Sequence, residues 1–166
     1  MRLEAMAVQF PHVEGHPNRV PFEGVLAVVN APSDKAPAGA RGHRVILTSQ
    51  AAEKALPSLL GMAVDYRPGW DGHDARRKIG LLTEANVIGS KLVVKGYVYA
   101  RDFPEVALAI KAHASESMGM SYELADARVE DTRANIWRLT RVTFTGAAIL
   151  LRDKAAYRST SFKLAS

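Results

Sequence analysis

Two residues in this sequence combine a reactive side chain with a setting that exposes it, Ser121 and His73. A serine hydroxyl is a weak nucleophile by itself and needs a base, normally an imidazole, within hydrogen-bond reach. Ser121 stands near the start of a predicted strand, and His73 stands in a polar loop. The pair could therefore supply a nucleophile and its base.

The residues around Ser121 predict a helix, a glycine stop and then a strand. Over residues 103–117 apolar side chains recur at helical spacing, and Gly119 is the predicted stop. After Gly119, apolar and polar residues alternate with the period of two that is typical of a strand. Ser121 is thus expected on the face opposite Met120 and Tyr122.

His73 is the histidine whose surroundings best suit a base. It lies in a glycine-bearing loop, 67–77, near Trp70 and three carboxylates, Asp65, Asp71 and Asp74. A loop that gathers such groups carries function more plausibly than packing, although many loop histidines are simply solvated. The other four histidines lie in settings that favour solvated or packing roles: His12, His16, His43 and His113.

Length and composition describe an ordinary globular protein. The 166 residues suit one domain with a single core. No apolar run approaches the ~20 residues of a membrane span, and the N-terminus lacks a signal peptide's apolar stretch, so we expect an intracellular protein without a membrane partner. The chain has no cysteine, no glycine-rich phosphate loop and no metal-ligand pair at helical spacing, and we expect no cofactor and no metal.

The net charge of +5 raises the question of nucleic-acid binding. The basic residues are scattered apart from Arg76-Arg77-Lys78, and they are not interleaved with aromatic residues as in single-strand binders. We therefore expect no specific nucleic-acid partner, and an acidic protein partner explains the charge equally well. A basic nucleic-acid-binding barrel is the alternative, and it predicts DNA binding that weakens steeply with salt.

The order of predicted elements is strands, a helix, a strand pair, a second helix and further strands, without a repeated βαβ unit. This order predicts an α+β fold built on a mainly antiparallel, barrel-like sheet with flanking helices. A single domain over 1–166 is expected, with a core at about 20–157, a turn beginning at Gly146 and a polar tail at 158–166. The predicted strands are 5–10, 22–29, 44–48, 63–66, 78–83, 91–99, a strand from Met120 and 136–145, and a helix at 50–60 is capped by Thr48 or Ser49.

Taken in order, several short motifs resemble those of the prohead maturation proteases of tailed bacteriophages, a serine peptidase family related in fold to the herpesvirus assemblins. The likeness covers about 20–157 and rests on order and spacing. The motifs are Phe22-Glu23-Gly24 with Asn30, His73-Asp74 with Ile79-Gly80, Ala100-Arg101-Asp102-Phe103-Pro104-Glu105, Gly119-Met120-Ser121-Tyr122 and Val142-Thr143-Phe144-Thr145-Gly146-Ala147-Ala148.

The resemblance implies a serine endopeptidase with His73 and Ser121 as its catalytic residues. Its expected substrates are phage scaffold and major capsid precursor proteins, and self-cleavage is expected as well. It implies a place inside the assembling procapsid in the host cytoplasm, or in the bacterial cytoplasm if a prophage encodes the chain, and it allows a homo-oligomer.

This sequence departs from the family pattern at two places. Gly72 precedes His73 where the family usually has asparagine, and residues 140–143 read Thr-Arg-Val-Thr where many members have Glu-Val-Ser. If that glutamate orients the imidazole, another acid must do so here, and the sequence leaves Asp74, Asp65 and Glu123 open. For the oxyanion, backbone N–H groups near Gly119 or Gly146, or Arg141, are open as donors.

The same departures support an alternative from a different class. A capsid-associated structural or assembly protein on this fold would have lost proteolysis. In that case Ser121→Ala would leave precursor processing and particle assembly unchanged.

Overall fold

A computed structural model describes residues 18–113 and 117–164. These residues form two α-helices and eight strands, together with a short 3-10 turn at Leu56–Ser58. In chain order the elements are β1 (Arg19–Val28), β2 (Arg44–Leu47), α1 (Ser49–Ala55), β3 (Ala63–Asp65), β4 (Lys78–Ile88), β5 (Lys91–Tyr99), α2 (Pro104–Ala112), β6 (Met118–Val129), β7 (Ile136–Leu151) and β8 (Ser161–Leu164).

The sheet is organised around β7, its longest strand. Along one edge β7 pairs antiparallel with β6, and along the other it pairs in parallel with β2 and then with β3. From β3 the sheet continues through β4, β5, β1 and β8, all antiparallel. Residues 147–150 of β7 are fully buried, as expected of a strand covered on both faces.

The sheet curls so that the start of β6 lies against β1 and the segment before β8. The Met120 side chain occupies the space where a Cβ on Gly24 of β1 would lie, with its sulfur 2.5 Å from that position. The backbone N–H of Met120 donates to Thr160 Oγ at 3.2 Å. These contacts close the sheet into a curled half-barrel around one hydrophobic core.

The predicted α+β class with a mainly antiparallel, barrel-like sheet is confirmed. Thr48 is the cap of α1, because its hydroxyl accepts from the backbone N–H of Ala51 at 3.2 Å. The α-helix is shorter than expected and passes into the 3-10 turn at Leu56, where Pro57 cannot donate the next helical hydrogen bond. The strand predicted at 5–10 lies outside the described residues.

Three other predictions are corrected. The helix over 103–117 ends at Ala112, and β6 already begins at Met118, so Gly119 lies within the strand. Gly146 does not turn the chain, because its missing side chain leaves room for a cross-strand neighbour and β7 continues to Leu151.

The expected polar tail, 158–166, contains β8, which pairs with β1. Phe162 of β8 is 1% exposed and its ring centroid lies 4.7 Å from that of Phe22. Burial of this aromatic side chain explains why Ser161–Leu164 pairs with the sheet despite the polar composition around it.

No helix within 18–113 and 117–164 is long and apolar enough to cross a membrane.

Candidate active site

Ser121 and His73 line the same cavity, which has a volume of about 680 Å³. It is lined by the loop at residues 35–40, by residues 71–73 and by parts of β6 and β7, together with Val45 of β2, Lys154 and Ala156. The 31–42 segment is rich in proline, glycine and alanine, a composition typical of a surface loop, and this local pattern gives no sign that it lines a cavity.

The sheet register brings Ser121 close to the strand that precedes the His73 loop. Ala148 of β7 pairs with Ser121 of β6 on one side and with Asp65 of β3 on the other. Residues in register on adjacent strands project to the same face, and neighbouring strands lie ~4.8 Å apart. Ser121 and Asp65 therefore flank Ala148 in one row across three strands.

His73 presents one ring nitrogen to two carboxylates. Its Nδ1 lies 3.5 Å from Asp65 Oδ1 and 3.6 Å from Glu123 Oε1. Both distances are longer than a hydrogen bond, and neither ring nitrogen bonds to any residue in the described part of the chain. A buried polar group without a partner costs about 1–3 kcal/mol, and such groups concentrate at catalytic sites. Apo enzymes often show catalytic hydrogen bonds that are similarly long.

Asp65 is the buried one of these two acids. Its side chain is 2% exposed, and its Oδ1 accepts from the backbone N–H of Asp74 at 3.3 Å. The Nζ of Lys78 lies 3.6 Å from the other oxygen, Oδ2. A buried carboxylate needs such partners, because an unpaired buried charge is costly.

Glu123 approaches the same nitrogen from the cavity rim, with 52% of its side chain exposed. It pairs in register with Gly146 of β7, and a Cβ on that glycine would lie 2.8 Å from Glu123 Oε2. The glycine therefore provides the space through which the Glu123 side chain crosses the strand.

Asp74, the third acid left open by the sequence, is occupied elsewhere. Its Oδ1 accepts from the backbone N–H of Arg76 at 3.0 Å, and its Oδ2 accepts from Arg77 Nε at 3.3 Å. The backbone N–H of Arg76, followed by its guanidinium, lowers the pKa of Asp74. This carboxylate stabilises the turn at 74–77, and no contact to His73 is seen among its bonds.

Arg141 lies away from the pair. It lines a second cavity, of about 510 Å³, together with Lys54 of α1 and Ser58. Arg141 lies seven positions before Ala148 in β7, which is about 23 Å at the rise of a strand. The structure thus brings His73, Ser121, Asp65 and Glu123 together but not Asp74 or Arg141.

The other candidate oxyanion donors lie on the two strands of the site. Gly119 is buried two residues before Ser121, and Gly146 faces Glu123. Within residues 18–113 and 117–164, no three histidine or acidic side chains are arranged to hold a metal ion.

Tyr122, the residue after Ser121, lines the cavity and packs into an aromatic cluster. The Tyr122 ring packs edge-on against Phe144, and its hydroxyl lies 3.5 Å from that of Tyr157. Burial raises the pKa of the Tyr122 phenol well above its ordinary value, and the neighbouring Tyr157 adds to the shift. These side chains form an aromatic cluster that packs against the strand carrying Ser121.

The fold is similar to those of two viral proteases of known structure, as the sequence motifs implied. The capsid assembly protease of bacteriophage T4 superposes with a TM-score of 0.53 and 12% identity, over 76% of this chain and 80% of that one. KSHV protease, solved with a hexapeptide phosphonate inhibitor, superposes with a TM-score of 0.56 and 12% identity, over 89% of this chain and 65% of that one. No protein-family profile and no curated protein sequence matches this chain.

Proposed function

We propose that this protein is a serine endopeptidase that cleaves scaffold and capsid precursor proteins, and itself, during phage procapsid maturation. The observation that carries the proposal is the shared cavity of Ser121 and His73, in which both buried ring nitrogens of the partly exposed imidazole are free of hydrogen bonds to described residues. The substrate class follows from the fold, which this chain shares with a phage capsid assembly protease. The protein would act inside the assembling procapsid, in the cytoplasm of the host.

In the proposed reaction, Ser121 Oγ forms a bond to the scissile carbonyl carbon as His73 accepts the hydroxyl proton. The acceptor is Nε2, because Nδ1 faces the two carboxylates. Collapse of the tetrahedral intermediate breaks the C–N bond, and His73 returns the proton to the leaving amine. Water then attacks the acyl-enzyme, with the same base, and releases the carboxylate product.

The cavity also suits a peptide chain. Beyond Ser121 its lining is mainly small or apolar, with Leu124, Val129, Trp137 and Leu139 on the strands and residues 36–40 opposite. An extended peptide could lie along β6 with its side chains against this surface.

Co-expression of the protein with its scaffold and capsid precursors tests the proposal. Mass spectrometry should show discrete fragments with the wild type, and Ser121→Ala or His73→Ala should reduce cleavage by roughly 10³-fold or more. A fluorophosphonate probe should label the wild type at Ser121 and leave Ser121→Ala unlabelled. Fragments that persist unchanged in both variants would refute the assignment.

The second candidate is an assembly protein on this fold without proteolytic activity. It is favoured by the Thr-Arg-Val-Thr segment at 140–143, which places no acid at the cavity of His73. Intact precursors in wild type and both variants, together with normal particle assembly, would support it.

A further inference from the structure

We infer that Asp65, and not Glu123, is the positioning residue that orients His73 for proton transfer. The inference rests on the proposed function, since it concerns the reaction of Ser121. The sequence left three acids open, and the contacts of Asp74 with Arg76 and Arg77 remove that residue. The choice is therefore between the two acids at Nδ1 of His73.

The first argument is burial. Attraction between opposite charges is stronger in the protein interior than in water, and exposed pairs contribute little because water and salt screen them. Asp65 is 2% exposed and Glu123 is 52% exposed, although their distances to Nδ1 differ by only 0.1 Å. The buried carboxylate therefore acts more strongly on the imidazole.

The second argument is rigidity. Asp65 lies in β3, in register with Ala148, and its two oxygens have different neighbours. Lys78 lies near Oδ2, while Oδ1 accepts from the backbone N–H of Asp74 and faces His73. The Asp74 N–H belongs to the residue after His73, so one oxygen atom touches both the loop backbone and the imidazole. Glu123 has no comparable anchor among the described residues and must lose side-chain freedom to hold one position.

The chemical consequence concerns the tautomer of His73. A carboxylate at Nδ1 favours the neutral imidazole that carries its proton on Nδ1, which leaves Nε2 free to accept a proton from Ser121. When His73 takes that proton, the charge of Asp65 stabilises the imidazolium. The 3.5 Å separation needs to shorten by only a few tenths of an ångström to become a hydrogen bond.

The tautomer can be measured independently of any activity. Nitrogen-15 NMR of histidine-labelled protein, in mildly alkaline buffer, distinguishes a proton on Nδ1 from one on Nε2. We expect the Nδ1–H form of His73 in the wild type and in Glu123→Ala, and loss of that preference in Asp65→Ala. A wild-type His73 protonated on Nε2 would overturn the inference, as would a tautomer that changes in Glu123→Ala but not in Asp65→Ala.

Turnover supplies the second readout. Asp65→Asn keeps the size of the side chain but loses its charge, so we expect kcat to fall about 10²-fold or more with little change in KM. Glu123→Gln is the matched comparison, and it should lose much less activity than Asp65→Asn. Equal losses in the two variants would assign the role to both acids and overturn the inference.

The two proposals fail in different ways. If Ser121→Ala and His73→Ala leave cleavage intact, the proposed function falls, whereas the tautomer still reports on the contact between Asp65 and His73. If both variants abolish cleavage but the tautomer does not depend on Asp65, the protease stands and its positioning residue is another group. Should Asp65→Ala not fold, the wild-type tautomer and Asp65→Asn decide the question.

Discussion

The two cavities beside β7 differ in how well their polar groups are satisfied. In the first, both ring nitrogens of His73 are buried and free of hydrogen bonds to described residues. In the second, Lys54 and Arg141 are exposed, and the Ser58 hydroxyl both donates to Ala55 O and accepts from Phe144 N–H. Buried nitrogens without hydrogen-bond partners raise the free energy of the folded protein, whereas exposed cations are solvated by water. Of these two cavities, the first is therefore the one that shows a sign of function.

The largest effect is expected from a change behind Ser121. A Cβ on Gly119 would lie 2.6 Å from Thr160 Oγ and 3.2 Å from Arg152 Cα, both in packed surroundings. Gly119→Ala should therefore lower the free energy of unfolding by about 1–3 kcal/mol, measured by urea denaturation, and reduce cleavage.

Gly146→Ala is the matched control for Gly119→Ala. The three atoms nearest its Cβ would all belong to the side chain of Glu123, whose carboxylate is exposed and can move away. We expect a smaller loss of stability and nearly unchanged cleavage. Equal damage from both substitutions would show that Glu123 is held as firmly as the packing around Gly119.

An intermediate effect, on stability at high pH, is expected from the aromatic cluster around Tyr122 at the first cavity. The pKa of Tyr122 is raised above its ordinary value of 10.0 by burial, so folding favours the neutral phenol. This contribution to stability is complete below about pH 10 and is lost as the pH rises toward the raised pKa.

Tyr122→Phe has no phenol to ionise, so it avoids this loss of stability at high pH. Unfolding by base, followed by circular dichroism, should therefore shift to higher pH. Tyr97→Phe, on β5, controls for removal of a tyrosine hydroxyl elsewhere. If the pH midpoint of unfolding does not move in Tyr122→Phe, water solvates the Tyr122 side chain and burial does not raise its pKa.

The smallest effect is expected in the second cavity. Lys54→Ala and Arg141→Ala change exposed side chains and should alter the free energy of unfolding by no more than about 0.5 kcal/mol. Cleavage in the co-expression assay should stay at the wild-type level. A marked loss in Arg141→Ala would bring back Arg141 as an oxyanion donor and end the distinction between the cavities.

The sequence predicted most strands because their apolar alternation is a local property. Strand β5 has its predicted bounds, whereas β4 runs five residues beyond its predicted end and β1 begins three residues before its predicted start. The errors fall where distant residues decide the outcome. Glycine is a typical turn residue, but Gly146 lies within β7, where the Glu123 side chain occupies the space that a Cβ on Gly146 would take.

For the candidate site, the residue types and local patterns of the sequence by themselves singled out Ser121 and His73. Only the tertiary structure decided which acids approach the imidazole, because Asp65 and Glu123 reach His73 through strand pairings between segments far apart in the chain. Sequence spacing cannot report burial either, and it is burial that separates Asp65 from Glu123. The reactivity of a single side chain follows from its residue type, which the sequence states. The electrostatic environment of that side chain depends on which residues the sheet places beside it.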